Sequence, residues 1–145
     1  LSVAFHSLNQ ARKYVKFNPV ALKIAKKFLP GPLTIILPIK HGFPKELTAG
    51  SGSVGVRIPD SKIALGLVKE FGYPITATSA NISGGENTVT PADVIEQIGD
   101  KVDLILDGGK CKYKKPSTVI RIEDQIEIVR EGFIKSKRIL SMQEK

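Results

Sequence analysis

The sequence predicts an α/β domain built on a mixed sheet of parallel and antiparallel strands. In the first hundred residues, apolar segments with the two-residue period of strands alternate with segments of helical period. Near the end of the chain, strand segments instead follow one another directly, which favours a hairpin. With 145 residues, of which 41% are hydrophobic, the chain is long enough to bury a core as one domain.

The first clear helix begins at Pro19. Asn18 can cap this helix, and proline suits the first helical position because its missing N–H costs nothing there. Apolar residues share one face as far as Phe28, and a Pro-Gly-Pro segment then ends the helix. Residues 33–37 are dense in branched apolar side chains and predict a buried strand. A loop rich in Gly, Lys and Pro follows over 40–52.

The middle of the chain predicts two more strands and two more helices. Alternating apolar residues over 53–58 predict a strand whose Arg57 points away from the apolar face. Residues 59–72 predict a helix starting at Pro-Asp and ending at a glycine, and 73–78 a short strand. Residues 90–93, Thr-Pro-Ala-Asp, are a strong helix start. The side chains expected to face the core from these helices are Ile63, Ala64, Leu67, Val68, Phe71, Val94, Ile95 and Ile98.

The last third of the chain predicts three strands and a short helix. Residues 102–106 predict a strand that follows the third helix. Residues 117–122 and 126–129 predict a hairpin with an acidic turn. Residues 133–140 predict a short basic helix. Together these segments complete a mixed sheet with helices beside it.

The net charge of +8 is unevenly distributed along the chain. Residues 1–49 hold eight Lys or Arg and one acidic residue, whereas residues 50–109 hold four basic and eight acidic ones. Residues 110–145 hold ten basic and five acidic residues. Basic ends around an acidic middle suit contact with a polyanion such as RNA. The alternative is a solvated lysine-rich face that keeps the protein in solution.

Several classes of protein and site are disfavoured by the composition. The longest apolar stretch, 33–39, is far short of the roughly 20 residues of a membrane span, and the first residues do not resemble a signal peptide. The single cysteine, Cys111, excludes an internal disulfide framework and a multi-thiolate zinc site. The two histidines lack metal-ligand spacing, and no P-loop, GxGxxG or HExxH pattern occurs. We therefore expect a cytoplasmic protein with no membrane contact and no protein-held metal.

Three polar groups stand out as candidates for chemistry. Residues 78–81, Thr-Ser-Ala-Asn, end a strand and lead into a Ser-Gly-Gly turn, at the strand end where α/β sheets bind ligands. A plain polar turn is the alternative. Arg57 suits bidentate capture of carboxylate or phosphate, or is an exposed arginine on a sheet face. Ser117 and Arg130 flank the predicted hairpin, whose chain reversal brings them near each other. Such groups suit charge stabilisation around phosphates.

With these motifs the sequence resembles the YrdC family, the threonylcarbamoyl-AMP synthases. The resemblance covers essentially the whole chain and implies one YrdC-like domain over 1–145, with a twisted mixed parallel/antiparallel sheet and flanking helices. Four blocks match the family in order: Leu29-Pro30-Gly31-Pro32-Leu33-Thr34, Gly55-Val56-Arg57-Ile58-Pro59, Thr78-Ser79-Ala80-Asn81-Ile82-Ser83-Gly84, and Pro116-Ser117-Thr118-Val119 followed by Arg130-Glu131-Gly132.

The resemblance implies an L-threonylcarbamoyladenylate synthase, a nucleotidyltransferase that serves the N6-threonylcarbamoyladenosine modification of tRNA. L-Threonine and bicarbonate combine as a carbamate, whose oxygen attacks the α-phosphate of ATP and expels pyrophosphate. ATP is then a substrate, Mg²⁺ arrives bound to the nucleotide, and the product passes to the tRNA-modification machinery. Double-stranded RNA or tRNA is a further candidate partner.

The resemblance also implies roles for individual residues. Arg57 holds the threonine carboxylate or a neighbouring anionic group. Ser79 and Asn81 hydrogen-bond the nucleotide phosphates, and with Arg57 they are the expected catalytic residues. Ser117 and Arg130 frame the nucleotide from the other wall.

The resemblance also implies that Thr34 supports the floor of the cleft.

One part of the family pattern is missing from the sequence. The family's N-terminal part carries a Pro-Thr-Asp/Glu-Thr-X-Tyr-Gly-Leu turn and a Lys-X-Arg segment that line the site, whereas this sequence begins at Leu1. The resemblance therefore implies an N-terminally incomplete domain. Losing charge-stabilising groups costs about 10²-fold or more each, so we do not expect these 145 residues alone to be fully active. Two alternatives are a double-stranded-RNA-binding module and a carbamoyl-adenylate-forming domain of a hydrogenase-maturation protein.

Overall fold

The computed structural model describes residues 1–143, which form six strands, six α-helices and one 3₁₀ turn. The strands are β1 (Ser2–Ala4), β2 (Leu33–Pro38), β3 (Ser53–Arg57), β4 (Ile75–Ala77), β5 (Thr118–Ile122) and β6 (Ile126–Arg130). The helices are α1 (Leu8–Tyr14), α2 (Pro19–Phe28), α3 (Lys45–Thr48), α4 (Lys62–Phe71), α5 (Pro91–Ile98) and α6 (Ser136–Leu140), and the 3₁₀ turn is Gly99–Lys101.

The six strands form one mixed sheet in the order β4-β1-β3-β2-β5-β6. β1 runs parallel to β3, and β2 runs parallel to β5, whereas the other three neighbouring pairs are antiparallel. The predicted mixed α/β fold is therefore confirmed. β5 and β6 form the predicted hairpin, with an irregularity in register after Val119.

One face of the sheet carries the hydrophobic core. A row of four paired residues, Val3, Val56, Ile35 and Ile120, crosses four strands, and each is at most 1% exposed. Helices α1, α2 and α6 place buried side chains in the same cluster. Because side chains alternate along a strand, the neighbours of these four residues point to the opposite face.

The helix caps explain where the helices begin. Asn18 accepts a hydrogen bond from the Ala21 N–H at 2.8 Å, and Thr90 forms a capping box with Asp93, as predicted. The predicted start of α4 at Pro59-Asp60 was wrong, because Ser61 caps the helix and it begins at Lys62. The Asp60 carboxylate instead accepts hydrogen bonds from residues 112 and 113.

The prediction that α4 and α5 bury broad apolar faces was wrong. Of α4 only Val68 is buried, while Phe71 is 61% exposed, and α5 has no buried residue. Both helices lie in the part of the chain around β4, a three-residue edge strand that offers little apolar surface to cover. The partly or largely exposed side chains of the predicted faces are Ile63, Ala64, Leu67, Phe71, Val94, Ile95 and Ile98.

The predicted strand at 102–106 was also wrong. This segment follows the 3₁₀ turn as irregular chain, and Leu104 is 76% exposed. It pairs with neither edge of the sheet and instead borders an apolar cavity beside α5. The predicted helix over 133–140 begins only at Ser136, because the backbone N–H groups of residues 133 and 134 bond to residues 116 and 118. Within residues 1–143 we find no helix of the length and apolarity that crossing a membrane requires.

Candidate functional site

Arg57 ends β3 on the face opposite the core. Its neighbours Val56 and Ile58 are buried on the core face, so the predicted departure of Arg57 from the apolar alternation is confirmed. Within residues 1–143 its Nε is buried and has no hydrogen-bond partner. Burial lowers the pKa of Arg57 from its usual range, and the nearby charge of Arg130 lowers it further. An unpaired cationic donor in this position favours an anionic ligand.

Arg130 supplies a second cationic group at the same end of the sheet. It ends β6, pairs in register with Val119 and donates a hydrogen bond from Nη2 to the carbonyl oxygen of Ser117 at 2.9 Å. The chain reversal of the hairpin thus brings Ser117 and Arg130 together, as predicted. No salt bridge occurs at either Arg57 or Arg130 in the described part of the chain.

Two buried hydroxyls lie at this same end. Thr34, at the start of β2, and Ser117, directly before β5, share a hydrogen bond of 2.9 Å between their side-chain oxygens. The strand directions explain the grouping, since β3 and β6 end where β2 and β5 begin. We call this the arginine end of the sheet, formed by Thr34, Arg57, Ser117 and Arg130.

A single threonine holds the arginine end in place. The fully buried Thr118 donates its hydroxyl hydrogen to the Ile134 carbonyl at 2.6 Å and accepts from the N–H groups of Gly132 and Ile134 at 3.0 Å each. Gly132 lies so close to the preceding segment that a Cβ there would be 2.2 Å from the Pro116 oxygen. The segment after Arg130 is therefore fixed against the start of β5.

Ser79 and Asn81 lie on a separate turn. They follow β4, whose last residue, Ala77, pairs with Ser2, whereas Ala4 at the other end of β1 pairs with residue 57. The turn therefore leaves the sheet at the end opposite the arginine end. Within residues 1–143 neither side chain hydrogen-bonds to the arginine end.

The amide of Asn81 is used inside its own turn. It donates to the carbonyls of Ile82 at 3.0 Å and Gly85 at 3.1 Å, while its Oδ1 is buried with no partner in the described chain. Gln97 of α5 fastens the same turn by accepting from the Ile82 N–H at 3.0 Å and donating to the Glu86 carbonyl at 3.2 Å. The turn is thus a braced loop with an unused acceptor.

Comparison with known proteins identifies the family. A sequence model of the family Sua5/YciO/YrdC, described as telomere recombination, matches residues 1–132. The chain belongs to the Sua5/YciO/YrdC family. It is 45% identical over 141 residues to the putative threonylcarbamoyl-AMP synthase of Methanocaldococcus jannaschii, covering 96% of this chain and 65% of the relative.

Solved structures of Sua5/YciO/YrdC proteins share the fold. The structure of Pyrococcus abyssi Sua5 complexed with L-threonine matches with a TM-score of 0.91 and 35% identity, over 98% of this chain and 42% of that one. Escherichia coli YciO matches with a TM-score of 0.87 and 30% identity, over 96% of this chain and 68% of that one. This chain thus spans less than half the length of the Sua5 protein.

Sequence reasoning missed two residues that hold the candidate site of this Sua5/YciO/YrdC chain. Thr118 belongs to one of the motif blocks, but its inward orientation depends on pairing with β2 and β6. Gln97 lies in α5 among residues chosen for apolar spacing, and nothing in the sequence indicates its contacts with a turn 15 residues earlier. Within residues 1–143 no three His, Cys, Asp or Glu side chains form a group that could hold a metal ion.

Proposed function

We propose that this chain provides the adenylate-forming domain of a threonylcarbamoyl-AMP synthase. The observation that carries the proposal is the pair Arg57 and Arg130, two neighbouring cations without a carboxylate partner in the described chain, one with a buried unpaired Nε. An uncompensated pair of this kind favours a strongly anionic ligand. The resemblance to proteins named threonylcarbamoyl-AMP synthases supports a nucleoside triphosphate together with an amino acid as the ligand class.

The proposed reaction joins three substrates. L-Threonine and bicarbonate form a carbamate, and an oxygen of the carbamate group attacks the α-phosphate of ATP. A new P–O bond forms there, and the bond between the α-phosphate and the leaving pyrophosphate breaks. Negative charge accumulates on the phosphoryl oxygens during this displacement, so fixed cationic donors stabilise the transition state. Arg57 and Arg130 are the groups of this chain that supply them. L-Threonine as the amino acid is supported by the Pyrococcus abyssi Sua5 complex.

A nucleotide is long enough to connect the two candidate regions. The turn that carries Ser79 and Asn81 is separated from Arg57 by about 7 Å along β1 and by two strand spacings, roughly 10 Å, across the sheet. A triphosphate nucleotide exceeds that length. In our proposal Ser79 and Asn81 therefore contact phosphates from one side, while Ser117 and Arg130 frame the nucleotide from the other. Phosphate oxygens accept hydrogen bonds, so in this proposal Asn81 reaches them through Nδ2, whose hydrogens now bond to the carbonyls of Ile82 and Gly85, while its unpaired Oδ1 accepts from a hydroxyl or amino group of the ligand.

The supporting groups follow from the same arrangement. Thr34 holds Ser117 in place through their shared hydrogen bond. Mg²⁺ arrives with the nucleotide in this proposal and neutralises phosphate charge. The adenylate product then passes to the proteins that modify tRNA.

The decisive experiment is the reaction of the intact protein with ATP, L-threonine and bicarbonate. We expect pyrophosphate release that depends on both other substrates, together with threonylcarbamoyl-AMP detected by mass spectrometry. Pyrophosphate release that is the same without threonine would refute the proposed substrate. Binding of double-stranded RNA with no adenylate formation would favour the RNA-binding alternative instead.

Matched variants test the placement of the site. We expect Arg57→Ala and Asn81→Ala each to lower turnover by about 10²-fold or more while the fold stays intact. Arg12→Ala, on the exposed side of α1, and Asn87→Ala, an exposed residue, are the matched controls and should leave turnover near that of the unmodified protein. Unchanged turnover in both Arg57→Ala and Asn81→Ala would show that the site lies elsewhere.

A further inference from the structure

A basic segment crosses from the region of α5 to the start of β5. We call residues 110–116 the strap. At one end the Cys111 N–H donates to the Val89 carbonyl at 2.7 Å, and at the other the Pro116 carbonyl accepts from the Phe133 N–H at 2.9 Å. The strap is therefore tied to the fold on both sides.

Tyr113 in the strap makes two contacts with distant parts of the chain. Its hydroxyl donates to Asp60 Oδ2 at 2.7 Å, and its ring packs edge-on against Phe133 with 4.6 Å between centroids. Lys112 also bonds to the Asp60 carboxylate. Because the Lys112 side chain is 66% exposed, this ion pair is screened by solvent and contributes little. Tyr113 is the better-defined link.

Each partner of Tyr113 lies a short distance along the chain after one of the two arginines. Asp60 lies three residues beyond Arg57, and Phe133 lies three residues beyond Arg130. β3 and β6 are not neighbours, because β2 and β5 lie between them. Tyr113 thus connects the chain after β3 to the chain after β6, alongside the strand ends that carry the remaining residues of the arginine end.

Such a connection matters because like charges repel at short range. No carboxylate forms a salt bridge with either arginine in the described part of the chain, and burial together with the nearby charge of Arg130 lowers the pKa of Arg57. In the absence of ligand, the arginines therefore favour separation. A tie between the segments that follow them opposes that movement.

We propose that Tyr113 is a positioning residue that keeps the ends of β3 and β6 at the separation at which Arg57 and Arg130 bind one anion together. This inference rests on the proposed function, since it assumes that the arginine pair binds the nucleotide. Within the strap, this role belongs to Tyr113 and not to the lysines or to Cys111. Pre-organising two cations lowers the cost of binding a polyanion.

The test compares two tyrosines in the intact protein. Tyr113→Phe removes the hydroxyl that bonds to Asp60 and keeps the ring against Phe133. The matched control is Tyr73→Phe, because Tyr73 is 66% exposed and its hydroxyl has no hydrogen-bond partner within residues 1–143. ATP affinity is measured by calorimetry, the KM for ATP and kcat by pyrophosphate release, and the unfolding midpoint by thermal melting.

We expect Tyr113→Phe to weaken ATP binding by about tenfold and to raise the KM for ATP, with kcat and the melting midpoint nearly unchanged. A loss of stability alone, or equal behaviour of the Tyr113 and Tyr73 variants, overturns the inference. Asp60→Asn, which keeps an oxygen acceptor for the tyrosine, should restore most of the affinity that Asp60→Ala loses. Equal losses in both Asp60 variants would also overturn it.

A reference variant separates this inference from the proposed function. If Arg57→Ala abolishes ATP binding and Tyr113→Phe leaves it intact, the strap inference fails and the proposed site stands. If Arg57→Ala also leaves ATP affinity unchanged, the proposed site itself fails, and the inference fails with it.

Discussion

The side-chain oxygens of Thr34 and Ser117 lie 2.9 Å apart, and both residues are almost completely buried. They belong to motif blocks 83 residues apart and meet because β2 and β5 run parallel. The polar pair lies at the same end of the sheet as the two arginines and has no other side-chain partner within residues 1–143. The contribution of this hydrogen bond to the free energy of unfolding can therefore be measured by substituting these two residues alone.

We predict that Thr34→Val lowers the free energy of unfolding by about 1–3 kcal/mol, because the buried Ser117 hydroxyl loses its partner. The double variant Thr34→Val with Ser117→Ala should be less destabilised than the sum of the single variants, since neither partner is then left unsatisfied. Urea unfolding followed by circular dichroism measures all three. Thr76→Val, at an exposed position of β4, is the control. Fully additive losses would contradict the prediction.

Two glycine substitutions are predicted to act in opposite directions. An alanine Cβ at Gly132 would lie 2.2 Å from the Pro116 oxygen and 2.6 Å from the Ser117 backbone, so the end of β6 must move away from β5. We expect Gly132→Ala to cost about 3 kcal/mol or more. A Cβ at Gly66, inside α4, meets no atom within 4 Å. Gly66→Ala should stabilise the protein by about 0.5–1 kcal/mol, because glycine disfavours a helix interior.

Urea midpoints compare the two glycine variants with the unmodified protein. An unchanged midpoint for Gly132→Ala would show that the segment after β6 yields freely, contrary to its tie to Thr118. A lower midpoint for Gly66→Ala would show that position 66 of α4 cannot accept a Cβ, contrary to the open space around Gly66.

The stability of the protein should depend on the ionisation of Glu131. Hydrogen bonds from the hydroxyl and the N–H of Ser136, and from the ammonium of Lys135, lower the pKa of Glu131 from 4.5 to about 2. The unfolded chain therefore binds more protons than the folded one between about pH 2 and pH 4.5, and the contribution of Glu131 is lost as the pH falls through that window. Above about pH 5 it is fully present.

The measurement is the urea midpoint from pH 2 to pH 7 for the unmodified protein and for Glu131→Gln. We expect the two curves to diverge as the pH rises from about 2 and to run parallel above about pH 5. Glu96→Gln, an exposed position of α5, should follow the unmodified protein throughout. A Glu131→Gln curve that differs by the same amount at all pH values would contradict the role of this carboxylate.

Local signals along the chain were sufficient to predict many elements of the fold. The caps Asn18 and Thr90 were recognised because each acts within a few residues of itself. The departure of Arg57 from the apolar face follows from strand alternation alone, and the proximity of Ser117 to Arg130 follows from a hairpin. These are consequences of neighbouring residues.

The errors occurred where a contact between distant segments decides the structure. Residues 102–106 have strand-like composition, but neither edge of the sheet pairs with them. Asp60 was assigned to a helix start, although its carboxylate accepts hydrogen bonds from Lys112 and Tyr113, which lie more than 50 positions later in the chain. The Thr34–Ser117 hydrogen bond requires the parallel pairing of β2 with β5, which periodicity does not indicate. The pattern of neighbouring residues does not indicate which distant segments pair with each other.

Gln97 should control how firmly the turn of Asn81 is held. Its side chain accepts from the Ile82 N–H at 3.0 Å and donates to the Glu86 carbonyl at 3.2 Å, so both ends of its amide are used. Gln97→Met keeps a similar length and removes both hydrogen bonds. We expect the Ile82 amide proton to exchange faster with solvent, because its acceptor is gone. We also expect the KM for ATP to rise by about threefold to tenfold if the turn binds phosphates as proposed.

Amide exchange by NMR and steady-state kinetics test this prediction together, and Glu96→Met, at the preceding exposed position of α5, is the matched control. The melting midpoint should change little, because these hydrogen bonds lie at the protein surface and water replaces them. Unchanged Ile82 exchange in Gln97→Met would contradict the brace. Faster exchange with an unchanged KM would show that the turn is held by Gln97 but does not bind ATP, and the phosphate contacts would then have to come from the arginine end alone.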